Sequence, residues 1–158
     1  IGPGGFTGLR IGTATARALA AAHGLPIHPV SSLAALAAGI DAPLVLAVLD
    51  ARRGEVFAAL HDRSGERWPA FAARPQALAE GLRAAALTPL AAGDGAIRYR
   101  GELEAAGALV PPDDSPYHVV RALAVCRLAV QAVPVAPEAV LPDYLRAPDA
   151  TPPPPTRP

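Results

Sequence analysis

The sequence has no methionine, no lysine, one cysteine and few aromatic residues (one Trp, three Tyr and three Phe among 158). A lone Cys126 excludes an internal disulfide and fits a reducing compartment, so a cytoplasmic location is expected. No stretch reaches the roughly 18 consecutive apolar residues of a membrane span. Formal net charge is zero, which leaves no global field to draw the chain onto nucleic acid or an anionic membrane. All fourteen basic residues are arginine, and with the abundant Ala, Pro and Gly this reads as GC-rich coding rather than a functional device. The missing initiator, together with a first motif that begins in mid-turn, gives the expectation of an N-terminally truncated fragment.

What is present begins at once. Ile1-Gly2-Pro3-Gly4-Gly5-Phe6-Thr7-Gly8-Leu9-Arg10-Ile11-Gly12 is a glycine-rich turn running into a helix. Thr7 is expected to cap that helix, with Phe6 and Ile11 closing a hydrophobic staple, and Gly24 and Pro26 to end it. The turn could cradle a phosphate at a helix N-terminus. It has neither the P-loop nor the dinucleotide spacing, because Thr7 stands where each requires glycine or its equivalent. It therefore reads as a packing turn. Gly12, Ala16 and Ala20 follow at four-residue spacing, a stripe of small residues that admits a second backbone.

Farther on, residues 27–30 suggest a short strand and Ser31-Ser32 the start of a helix. Residues 44–49 read as a buried strand, Arg52-Arg53-Gly54 as a turn, 55–61 as its hairpin partner and 67–71 as a third strand. A helix from Pro75, a strand over 89–92 and Gly93-Asp94-Gly95 entering a helix through Glu104 come next. Asp114-Ser115-Pro116 is expected to open the longest helix, to about Ala132. Three antiparallel strands, then helix, strand and helix, indicate an α/β fold with a ribonuclease-H-like lobe.

Catalytic signatures are scarce. His23, His28, His61 and His118 are scattered without partners at metal-ligand spacing, and none of the four serines sits in a nucleophile elbow. Cys126 reads as a small core residue. Arg52-Arg53 and Arg98-Tyr99-Arg100 could touch an RNA backbone, but at zero net charge they read better as a hairpin tip and a solvated helix face.

The opening motif, Val30-Ser31-Ser32-Leu33-Ala34-Ala35-Leu36-Ala37, Asp50-Ala51-Arg52-Arg53-Gly54-Glu55-Val56-Phe57, Gly93-Asp94-Gly95-Ala96 and Pro142-Asp143-Tyr144-Leu145-Arg146 together resemble the TsaB (YeaZ) family. The resemblance runs in order to about Pro148, with Gly5 where that family usually carries serine. It implies an actin/Hsp70-like fold of two ribonuclease-H-like lobes. Here residues 1–40 would be the remnant of an incomplete first lobe, 41–147 the second lobe and 148–158 a Pro-rich tail. Three strands, a helix and their loops, about 50–60 residues, would precede the first motif. The tail would be a disordered end or, as in some relatives, a linker to an acetyltransferase domain.

The resemblance also implies a role: a non-catalytic subunit in placing threonylcarbamoyl on the adenosine next to the anticodon of tRNA. The partners implied are the catalytic paralogue TsaD and the ATPase TsaE, with a homodimer possible and tRNA met only indirectly. In that paralogue two histidines hold the catalytic metal. Ser32 and Leu36 stand at those positions, and leucine offers no donor atom. The family-motif turn is Gly2, Pro3, Gly4, Phe6, Thr7, Gly8 and Arg10. The interface candidates are Leu9, Gly12, Thr13, Ala16 and Ala20. No resident cofactor is expected; Gly93, Asp94 and Gly95 are the nucleotide candidates, with ATP only at a subunit junction. A glycoprotease-like (peptidase M22 type) enzyme and a stand-alone ATPase are the alternatives. The fragment alone is expected to bind poorly or fold incompletely.

Overall fold

In a computed structural model the described residues are 1–146, so the Pro-rich tail assigned to 148–158 lies outside them. Helix α1 spans Phe6–His23 and α2 spans Ser32–Ala38. Strands β1 (Leu44–Arg52), β2 (Glu55–Asp62) and β3 (Gly65–Ala73) form an antiparallel meander. Helix α3 (Pro75–Ala84) leads to β4 (Leu90–Ala92), which pairs parallel to β1. Short helices α4 (Asp94–Arg98) and α5 (Arg100–Glu104) follow, and α6 (Ala122–Ala129) comes last. The strand order is β3-β2-β1-β4, the order expected of a ribonuclease-H-like lobe.

Side chains alternate across β1 and sort the core onto the two sheet faces. Leu46 and Val48 join Val56, Leu60, Leu78, Leu82 and Leu103 under α3, α4 and α5. Val45 and Ala47 join Phe57, Leu33, Leu36 and Ile40 on the opposite face, where α2 packs. Helix α2 thus lies before the boundary drawn after residue 40, yet its leucines complete the sheet's second face. Ser31 caps it, accepting from the Ala34 N–H at 3.4 Å.

Several local expectations are corrected. Gly5, not Thr7, is the N-cap of α1: Leu9 N–H already donates to the Gly5 carbonyl at 2.9 Å, which puts Thr7 inside the first turn. The staple does not close, since Phe6 and Ile11 are both exposed. The 27–30 strand reduces to one bridge between Ile27 and Val135, because Pro26 and Pro29 supply no N–H to a ladder. The helix from Gly93 breaks at Tyr99 (φ −115°) into α4 and α5. The expected long helix becomes a 3₁₀ turn at Pro116–His118, an extended Val119 and the eight-residue α6. Cys126 is exposed on α6 rather than in the core. The longest described helix is α1, which ends as expected at Gly24 in the left-handed conformation (φ 63°).

His61, near the end of β2, is half-buried, and its Nε2 has no hydrogen-bond partner among the described residues. Burial lowers its pKa, partly opposed by Glu66 and Asp62. Above the ordinary histidine value, about 6.5, both folded and unfolded chains hold it neutral. Below that value the unfolded chain takes up a proton that the folded one resists, so stability falls as the solution is acidified. His61→Gln should therefore remove part of the loss in urea midpoint between pH 7.5 and 5.5. The effect is expected to be a few tenths of a kcal/mol, because the ring is only half shielded. Equal pH slopes for both proteins would contradict it.

Candidate functional site

The glycine turn is held from both sides. Gly2 is buried at φ +115°, and its carbonyl accepts from the Ser32 N–H at 2.7 Å. The Ile1 carbonyl accepts from the Asp143 N–H at 2.9 Å. A Cβ on Gly2 would meet Leu9 Cδ2 at 2.9 Å and the Asp143 carbonyl at 3.2 Å, so glycine is required there for close packing. Pro3 is buried beside it, while Gly4 and Gly5 leave open space where a side chain would project.

Open space also marks one face of α1. Gly8, Ile11, Gly12, Thr15, Ala16 and Leu19 all lie on it and all are exposed, with Ile11 at 63% and Leu19 at 58%. Among the described residues nothing lies within 4 Å of the position a Cβ would take on Gly8 or Gly12. The opposite side carries half-buried Leu9, Thr13 and Arg17 and buried Ala20. The stripe Gly12-Ala16-Ala20 therefore crosses environments, because each four-residue step rotates about 40° around the helix. Gly12 and Ala16 look outward; Leu9, Thr13 and Ala20 look inward. Ile11 and Leu19, exposed aliphatics beside the small residues, complete the face and were absent from the sequence-based candidates.

The Gly93-Asp94-Gly95 turn is a packing device. Gly93 sits at φ +113°, and a Cβ there would lie 2.1 Å from the Val48 carbonyl oxygen. A Cβ on Gly95 would lie 2.8 Å from the Leu49 carbonyl carbon. Asp94 Oδ1 accepts from the Asp50 N–H at 2.9 Å and ties the turn to β1. His118 is buried with Nδ1 3.1 Å from the Gly93 N and 3.2 Å from the Gly93 carbonyl, and its Nε2 lies 3.2 Å from the Pro111 carbonyl. His118 was invisible as a structural residue in the sequence. Leu36 is buried at 1% exposure, and its Cδ2 would lie 2.9 Å from a Cβ on Gly93.

Three distant motifs meet at a cleft of about 560 Å³. Its walls are the start of α1 (Gly4, Gly5, Phe6, Arg10), the β1–β2 tip (Asp50 to Arg53, with Phe57) and the segment Asp143 to Arg146. Arg10 Nε donates to the Tyr144 hydroxyl at 2.9 Å, and its guanidinium lies 4.3 Å from the Phe6 ring centre. The Phe6 and Tyr144 rings are 5.8 Å apart. Asp50 Oδ1 accepts from the Arg52 N–H at 2.9 Å, and Oδ2 accepts from Arg98 Nη1 at 3.1 Å. Arg146 Nη1 reaches Glu55 at 3.1 Å and the Ala51 carbonyl at 3.3 Å. Arg98 thus anchors the tip, and Arg100 is bound to Glu104, Asp113 and the carbonyls of Val110 and Pro111. Of the two arginine clusters singled out in the sequence, only Arg52-Arg53 lines the cleft.

The family model described as TsaD, tRNA N6-adenosine threonylcarbamoyltransferase, matches residues 1–87. The tRNA threonylcarbamoyladenosine biosynthesis protein TsaB of Escherichia coli is 47% identical over 66 residues, covering 39% of this chain and 29% of that protein. TsaB of Bacillus subtilis is 46% identical over 63 residues, covering 38% and 27%. An uncharacterized protein of Mycobacterium leprae is 50% identical over 66 residues, covering 42% and 18%. These matches span less than a third of each curated relative's own length. Among solved structures, a Pseudomonas aeruginosa protein described as similar to peptidase YEAZ superposes with a TM-score of 0.73 at 30% identity, covering 92% of this chain and 70% of that one. YeaZ from Pseudomonas aeruginosa gives 0.71 at 28% identity, covering 91% and 71%. Among the described residues no helix is long and apolar enough to cross a membrane. With the ribonuclease-H-like strand order and both glycine turns in place, the chain has the actin/Hsp70-like fold and belongs to the TsaB (YeaZ) family.

Proposed function

We propose that this chain serves threonylcarbamoyladenosine formation on tRNA as a non-catalytic subunit, pairing in the cytoplasm with a TsaD-type paralogue and, on that pair, a TsaE-type ATPase. One observation carries the pairing: α1 runs eighteen residues, yet of these only Ala20 is buried, and among the described residues nothing covers its Gly8-Ile11-Gly12-Thr15-Ala16-Leu19 face. An exposed face with small residues at its centre and aliphatics at its flanks suits close contact with another helix. Residue chemistry supports the division of labour. Leu36 is a core side chain without a metal-binding atom, and the Gly93-Asp94-Gly95 turn directs Asp94 Oδ1 to β1 and the Gly93 N–H to His118. The reading takes residues 1–40 as belonging to a first lobe and 41–147 to a second.

Light scattering tests it, on an upstream-extended form of the protein and on this chain, each mixed with the TsaD-type paralogue. A one-to-one complex with the extended form is expected. Separate elution of both proteins in every mixture would overturn the assigned role, and a homodimer that excludes the paralogue would do the same.

A further inference from the structure

We propose that residues 141–146 are a latch. They hold the start of α1 to the β1–β2 tip, and release at either end frees both and opens the cleft between them. The latch is independent of the pairing, which rests on the outer face of α1.

No helix or strand runs through residues 141–146. Upstream the chain is tied down. Ile27 and Val135 exchange both backbone hydrogen bonds, at 2.9 and 2.8 Å, and Val140 is buried. Beyond Val140 it continues as a strap from the glycine turn to the hairpin, with Leu141 and Tyr144 exposed along it.

The α1 end of the strap is built from Asp143 and Tyr144. The Asp143 N–H donates to the Ile1 carbonyl, and the Asp143 carbonyl oxygen lies 3.2 Å from where a Cβ on Gly2 would stand. The Tyr144 hydroxyl accepts from Arg10 Nε at 2.9 Å, and its ring stands beside Phe6. The hairpin end is Arg146, whose Nη1 donates to the Ala51 carbonyl at 3.3 Å and to Glu55 at 3.1 Å. Ala51 is in β1 and Glu55 opens β2, so one side chain grips both strands across the turn.

Only Leu145 stands between these anchors, and it packs on the core face that includes Ala51 and Phe57. Consecutive Cα atoms are about 3.8 Å apart, so a span this short has no slack. Tyr144 cannot lift away while Arg146 stays in place, and the reverse holds.

The grip is also weak enough to release. The side chains of Arg146 and Glu55 are 28% and 33% exposed, so water screens the ion pair and competes for its donors. One such hydrogen bond shifts an equilibrium by about three- to tenfold. Leu46, Val48, Val56 and Leu60 of the sheet are by contrast fully buried. Segments with few buried contacts open below the cost of global unfolding, so the strap opens before the sheet does.

Limited trypsin digestion of the full chain, followed by mass spectrometry, tests this, because cleavage tracks the population of the open form. Cleavage after Arg52 and Arg53 reports the tip, and cleavage after Arg10 the start of α1. Cleavage after Arg83, in the last turn of α3, reports general unfolding. Tyr144→Phe keeps the ring and removes the hydroxyl that Arg10 binds. Arg146→Leu keeps an apolar stem and removes the donors. Relative to Arg83, Tyr144→Phe should speed cleavage at the tip by about three- to tenfold, and Arg146→Leu should do the same after Arg10. If each variant speeds only its own end, or neither changes any rate, the two anchors do not act together and the proposal is overturned. A rise at Arg83 equal to that at the ends overturns it too, because the strap would then hold the whole fold. No partner protein enters the digestion, so its failure leaves the pairing untouched, and failure to pair leaves the latch untouched.

Discussion

Gly93→Ala is expected to cost the protein about 3 kcal/mol or more of stability, enough to unfold much of it at 37 °C. The added methyl would sit 2.1 Å from the Val48 carbonyl oxygen and 2.9 Å from Leu36 Cδ2. The first of these is backbone of the central strand and cannot swing aside. The residue also holds φ at +113°, a region that L-residues rarely occupy. Retreat is closed as well, because the Gly93 N–H is fixed to His118 and His118 in turn to Pro111. Thermal melts followed by circular dichroism measure the effect. A midpoint within a few degrees of the parent would mean that β1 and the α4 entry separate more easily than their geometry implies. The same substitution makes a poor probe of nucleotide binding, since lost affinity would report lost structure.

Gly12→Arg should do the reverse, separating pairing from folding. Among the described residues nothing lies within 4 Å of the new Cβ, and arginine is a better helix residue than glycine by up to about 1 kcal/mol, so the midpoint should hold or rise. If the open face of α1 seats a partner helix, a guanidinium at its centre meets that backbone without a counter-charge. Such a buried, unpaired charge costs about 3–5 kcal/mol, equivalent to a hundredfold or greater loss of affinity for the paralogue. Ala20→Arg supplies the contrast, because Ala20 is 8% exposed and faces inward; it should lower the melting midpoint. Unchanged pairing by Gly12→Arg in the upstream-extended form would remove α1 from the interface.

Much of the sheet was legible because it is locally encoded. The apolar run over 44–49 and the Arg-Arg-Gly turn define the hairpin, and in the next turn Ser64 N–H donates to Asp62 at 2.8 Å, so neighbouring residues settle the conformation. Pro75 marked the start of α3 for the same reason. The failures are tertiary. The segment after Asp114 has helical composition, but His118 is drawn inward to Gly93, and Val119 leaves the 3₁₀ turn extended. Arg98 and Arg100 lie two residues apart yet reach opposite ways, to Asp50 and to the 110–113 segment, and the helix parts between them. The cleft was not legible as a site at all. Its walls were recognised only as separate motifs. The Arg10–Tyr144 bond that joins two walls spans most of the chain, and no periodicity records it.

The bonds around Ile1 and Gly2 have a kinetic consequence. Ser32 and Asp143 stand far apart in sequence, yet both amides donate to the carbonyls of this one dipeptide. Their protection from solvent deuterium should accordingly rise and fall together. An opening that lifts Ile1 and Gly2 away exposes both amides at once, so their exchange rates report a single event in which the entry to α2 and the last wall of the cleft come loose as one unit.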